Sequence, residues 1–232
     1  MAFSAAFSEW QALAARYGPA RAYRPALQLP ELARTAGADA RRQADWAVGS
    51  TLFWMGRFAD ARRWLAPGPE LGWTLALQGE REAALAQPDT AVLHFFLDAP
   101  EACLARLVRA AAPANRIAAA RADLLRYWAH ARLQRATDER AAQAALALLR
   151  REAPCDEARG MAVYAEAAFR QEPVSALPHL DHALDLFARF GLHYLEARLL
   201  DRKAQALDAA GHLGDASRLQ RATAAAERRQ RP

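Results

Sequence analysis

The chain has 232 residues, 53% of them hydrophobic and 25% charged, with 11 Gly, 12 Pro and a formal net charge of +5. That length is expected to form one domain or one elongated repeat array with a sizeable core, and so few Gly and Pro exclude a collagen-like or chiefly disordered chain. Two cysteines, Cys103 and Cys155, without CxxC or Cys/His spacing exclude a disulfide framework and a structural zinc module. No stretch approaches the roughly 18 uninterrupted apolar residues of a membrane span, and the N-terminus lacks a basic n-region and an apolar h-region. The expectation is a cytoplasmic protein with no membrane partner.

Charge is distributed unevenly: residues 1–38 carry +2, 39–105 carry −3, 106–151 carry +7 and 152–232 carry −1. Lys203 is the only lysine, so the basic groups are almost all guanidinium, the shape suited to carboxylate and phosphate.

Apolar residues recur at i, i+3, i+4 and i+7 along nearly every long segment, and the residues are mainly Ala, Leu and Arg, which predicts an all-α chain. In chain order, breakers from Gly18-Pro19 to Gly211 divide it into helices near 4–17, 30–36, 39–55, 58–66, 70–78, 80–87, 90–98, 100–111, 115–134, 137–151, 155–170, 173–189, 192–210 and 213–229.

One spacing repeats. Gly49 is followed seven residues later by Gly56 and five after that by Ala61; Gly72, Gly79 and Ala84 repeat the interval, as do Ala204, Gly211 and Ala216. A small residue on each of two neighbouring helices allows close approach, and the glycine between them supplies a left-handed helix end. These residues resemble the tetratricopeptide repeat. The resemblance implies a helix-hairpin α-solenoid of degenerate repeats over 1–232, with an irregular middle at 66–113, because the first two units start 23 residues apart instead of about 34. The segments ELARTAGADARRQADWAVGSTLFWMGRFADARRWL and HALDLFARFGLHYLEARLLDRKAQALDAAGHLGDA look more particularly like the repeats C-terminal to the ATPase in bacterial signal-transduction NTPases and cyclase-linked regulators. That likeness implies the sensing or scaffolding part of such a regulator.

No Walker A, GxGxxG, GxSxG, HExxH or EF-hand pattern occurs, so no catalytic residue and no cofactor is assigned. His179, His182 and Asp185 share a helix, but the third is turned away from the first two, and no metal site is assigned. Trp46, Phe53 and Trp54 form one helical stripe, as core packing does. On the helix from Asn115, the stripe Ile117, Arg121, Leu124, Leu125, Trp128 and Arg132 embeds two arginines among apolar residues. Arg121, Trp128, Arg132 and Trp54 are therefore the candidate partner-binding groove. The basic end (Arg218, Arg221, Arg228, Arg229, Arg231) lacks interleaved aromatics, which disfavours nucleic acid. The expected function is a non-enzymatic scaffold binding another protein or peptide in regulation or assembly, with homo-oligomerisation open. The alternative is a chaperone or adaptor for a secreted or effector protein.

Overall fold

The computed structural model describes residues 2–230, and among them there are fourteen α-helices and no strand. They are α1 Ala2–Tyr17, α2 Pro19–Ala33, α3 Ala38–Trp54, α4 Phe58–Ala61, α5 Pro69–Leu77, α6 Arg81–Leu85, α7 Ala91–Phe96, α8 Pro100–Arg109, α9 Arg116–Arg132, α10 Glu139–Glu152, α11 Pro154–Gln171, α12 Leu177–Phe190, α13 Glu196–Ala209 and α14 Leu213–Gln230. None is long and apolar enough to cross a membrane. Arg231 of the basic end lies outside the described residues.

α2 corrects the sequence expectation, which begins a helix only at residue 30. Prolines at 25 and 30 argue against a continuous helix because each removes an N–H and clashes with the preceding turn. Ala22, Ala26, Leu29 and Ala33 nevertheless form one buried stripe, and burial of that face against α1 and α3 holds the helix through both prolines.

The nine positions of the repeating interval all carry a packing or turn role. Gly49 and Gly72 are buried on α3 and α5, and Ala204 on α13; Ala61, Ala84 and Ala216 are buried on α4, α6 and α14. Between them Gly56, Gly79 and Gly211 take φ of 73°, 84° and 83°. The middle of the chain is built of short pieces, α5 to α7 having nine, five and six residues.

Chain neighbours pack on each other, but α11 does more: it contacts α9, α10, α12 and α13, and also α1. Its small residues Ala158, Gly160, Ala162, Ala165 and Ala167 let surrounding helices come close on every side, and thirteen of its eighteen residues are buried. Its acids then tie it to those neighbours. Asp156 pairs with Arg121 of α9, Glu157 with Arg150 of α10 at 2.7 Å, and Glu166 with Arg198 and Arg202 of α13 at 2.8 and 3.4 Å. Two arginines of the basic segment 106–151, Arg121 and Arg150, are thus paired with acids of α11.

A second closure joins Gly18 to Phe190, far apart in the chain. The α1–α2 turn sits on the α12–α13 turn: at Gly18 (φ 83°) a Cβ would lie 2.1 Å from the Phe190 carbonyl oxygen, so only glycine fits. Nearby the His193 amide donates to the Trp54 carbonyl at 2.8 Å.

Candidate functional site

α1, α3, α5, α7, α9 and α11 surround two adjoining hollows with cavity volumes of about 170 and 330 Å³. They share five lining residues, Trp54, Glu70, Arg121, Asp156 and Arg159, which form a charged neck between them. The inner chamber is apolar and aromatic, walled by Phe53, Phe95, Phe96, Leu124, Val163 and Tyr194. The outer vestibule is formed by Trp10, Gln11, Ala14 and Ala15 of α1 with Trp46 and Cys155.

Arg159 organises the neck. Its guanidinium lies over the Trp54 ring at 3.9 Å from the centroid, a cation–π contact, and its Nη1 donates to Asp156 Oδ1 at 3.2 Å. Its Nε is buried without a hydrogen-bond partner, beside the Cys155 thiol, a weak acceptor. Arg121 donates to the other oxygen of Asp156 while its side chain stays half exposed. One carboxylate therefore serves two guanidinium groups. Glu70, the second residue of α5, faces Arg159; burial raises its pKa, and the arginine charge only partly opposes that. Trp10 fixes the vestibule wall, since its Nε1 donates to Thr51 Oγ1 at 3.1 Å, its ring stacks parallel on Trp54 at 6.5 Å, and Trp46 meets it edge-on at 5.3 Å.

Of the four candidate groove residues, Arg121 and Trp54 come together at the neck. Trp128 does not face a groove: it is fully buried and edge-on to Phe95 at 5.0 Å, because its side of α9 packs on α7 and α11. Arg132 also lies away from the cleft, closing on Asp98 through Nε at 2.8 Å and through Nη2, with only 17% of its side chain exposed. Trp46 keeps 38% of its surface exposed, whereas Phe53 is core. His179 stacks edge-on to Tyr164 at 5.0 Å and His182 approaches Glu157 at 3.9 Å; among the described residues no three ligating side chains form a metal cluster. Burial raises the pKa of both cysteines, to about 12 at Cys103.

Comparison with protein-family models, with curated proteins and with solved structures finds no match for this chain. The site therefore rests on its own geometry.

Arg159, Asp156, Glu70 and Tyr194 were not indicated by the sequence. Arg159 and Asp156 lie three apart on α11, an ordinary solvent-face spacing for an ion pair. Only the wrapping of α11 by five helices turns that pair inward. Glu70 follows Pro69 at the start of a nine-residue helix, where an acid reads as a favourable helix start.

Proposed function

We propose that the chain is a non-enzymatic scaffold of degenerate tetratricopeptide-like helix pairs that docks a segment of another protein on the rim of the vestibule. The reading is supported chiefly by that rim, where a partly exposed tryptophan, Trp46, and a half-exposed arginine, Arg121, line one concave surface. Tryptophan and arginine dominate binding energy at protein interfaces because each combines a large apolar area with directed polar contact. The helix pairs at 49–61, 72–84 and 204–216 support the repeat architecture through their buried small residues and left-handed glycine turns. A role in binding rather than reaction agrees with the chemistry of the cleft. Its thiol, Cys155, is 1% exposed and held protonated by burial, and its acid Asp156 is committed to two arginines.

The test is selection of displayed random peptides on the intact chain, with Trp46→Ala/Arg121→Ala as the counter-target. Enriched peptides should bind the wild type about 30-fold or more tighter than the double variant, the consequence of removing two anchor residues. Enrichment that is equal on both, with melting temperatures matched, would overturn the rim as the docking site.

A further inference from the structure

We propose that the inner chamber is a binding site for a small amphipathic monoanion, an aromatic or branched aliphatic carboxylate whose body fills the chamber and whose carboxylate sits at the neck between Arg159 and Arg121. The site shares Arg121 with the protein-docking rim but not Trp46, which lines the vestibule alone.

Shape and lining give the apolar half. Phe53, Phe95, Phe96, Leu124 and Val163 offer no polar atom to a ligand body, so the walls favour aromatic or branched aliphatic groups. At about 170 Å³ the chamber is smaller than a drug-sized-ligand pocket, for which about 300–1,000 Å³ is usual, so it takes only a small body. The neck gives the polar half. Arg159 and Arg121 each commit one nitrogen to Asp156, so one negative charge is divided between two positive groups. The Nη1 end of Arg159 is occupied, whereas its buried Nε, on the side-on edge of the fork, has only the weakly accepting Cys155 thiol beside it. A carboxylate on that edge would take two parallel N–H bonds, the strong planar geometry for guanidinium. Stacking on Trp54 holds the plane in place, so little side-chain freedom is lost on binding.

The charge count selects a monoanion. Across Arg121, Arg159 and Asp156 the formal charges leave an excess of one positive charge, and burial raises the pKa of Glu70 beside them. A carboxylate matches that excess; a phosphate dianion would carry one negative charge more than the neck balances, beside the buried Asp156 carboxylate. A primary ammonium would meet two guanidinium groups and is excluded by repulsion.

Calorimetric titration of the full chain with a probe panel tests the assignment: indole-3-acetate and 4-phenylbutyrate as carboxylates, their primary amides, phenethylamine, and phenyl phosphate. Because the same carboxylate chemistry occurs at a protein C-terminus, acetyl-Gly-Gly-Phe with a free carboxylate is included. The carboxylates should bind with Kd below about 1 mM, at least tenfold tighter than the amides, amine and phosphate ester. Arg159→Ala and Arg159→Lys should both lose tenfold or more, the lysine because it keeps charge but not the fork. Val163→Phe, one turn from Arg159 on α11, fills the chamber and should abolish binding. Melting temperatures of all variants show whether they fold, and a competition arm reads displacement of indole-3-acetate by 4-phenylbutyrate in the wild type alone. Equal binding of acids and amides, full retention in Arg159→Lys, absence of competition, or no carboxylate binding below about 1 mM would each overturn the proposal. Tighter binding of the tripeptide than of either free acid would also overturn it, by assigning the neck to a protein tail.

Discussion

The α13–α14 hairpin and the α11 hub are built from similar residues, yet they are stabilised differently. In the hairpin, Ala204, Gly211 and Ala216 let two helices close on each other, and the charged pair Asp215–Arg218 stays at the surface. In the hub, Glu166 is 2% exposed and meets Arg198 and Arg202, which retain only 14% and 17% exposure. A surface ion pair is screened by water and contributes under about 1 kcal/mol. A buried carboxylate holding two guanidinium groups is different, because its loss strands their charge in a dry interior. The hub is where the fold depends on electrostatics.

The largest expected effect follows directly. Glu166→Ala should destabilise the chain by about 3–5 kcal/mol, with Arg198 left without an acid and Arg202 with only Asp201. Asp215→Ala should cost under about 1 kcal/mol. Urea unfolding of both variants checks the difference, and equal losses would mean that the two regions are held in the same way.

Glycine substitutions separate the seam from the hairpin at matched backbone strain. Gly18 and Gly211 both take φ of 83°, so alanine at either incurs the left-handed cost of about 1–2 kcal/mol. At Gly211 the new Cβ meets nothing within 4 Å, whereas at Gly18 it meets the Phe190 carbonyl oxygen at 2.1 Å. Gly18→Ala should therefore lose a further 1–3 kcal/mol or so from forced backbone movement. Thermal melts that drop equally would dissolve the seam between the α1–α2 and α12–α13 turns.

The same contrast explains what could be read in the sequence. The hairpins were legible because their determinants are local: small residue, seven positions, glycine, five positions, small residue. The helical period was legible for the same reason, and it put Arg121 and Trp54 on apolar stripes. It could not tell Trp54 from Trp128. Both occupy such stripes, but one faces a cavity and the other the packed side of α7, and period alone does not say what lies opposite. Arg159 was invisible because its meaning depends on α1, α3 and α9 arriving around α11 from distant parts of the chain. Gly18 reads as a simple breaker in sequence; its contact at Phe190 is a tertiary fact.

The smallest expected effect concerns the neck, and its sign is the informative part. Burial raises the pKa of Glu70 in the fold, while in the unfolded chain the group titrates at the ordinary carboxylate value. Between those two values the native state binds more protons than the unfolded one, so this group's contribution to stability falls as pH rises through that window and stays low above it. Glu70→Gln removes the titration and keeps an acceptor. The variant should be slightly more stable than the wild type near neutral pH and indistinguishable from it below the ordinary carboxylate range, about pH 4. Glu139 supplies the opposite sign on the same preparation. Burial alone would raise its pKa, but hydrogen bonds from Tyr127, Tyr164 and Gln143 outweigh that and lower it, so its contribution is present near neutrality and lost as pH falls through the lowered value. Glu139→Gln should accordingly be less stable than the wild type near neutral pH, with the gap closing in acid. Urea midpoints for both variants at several pH values decide the matter. A Glu70→Gln chain that is less stable near neutrality would mean that Glu70 is ionised and paired with Arg159. The neck would then have no positive charge to offer a ligand.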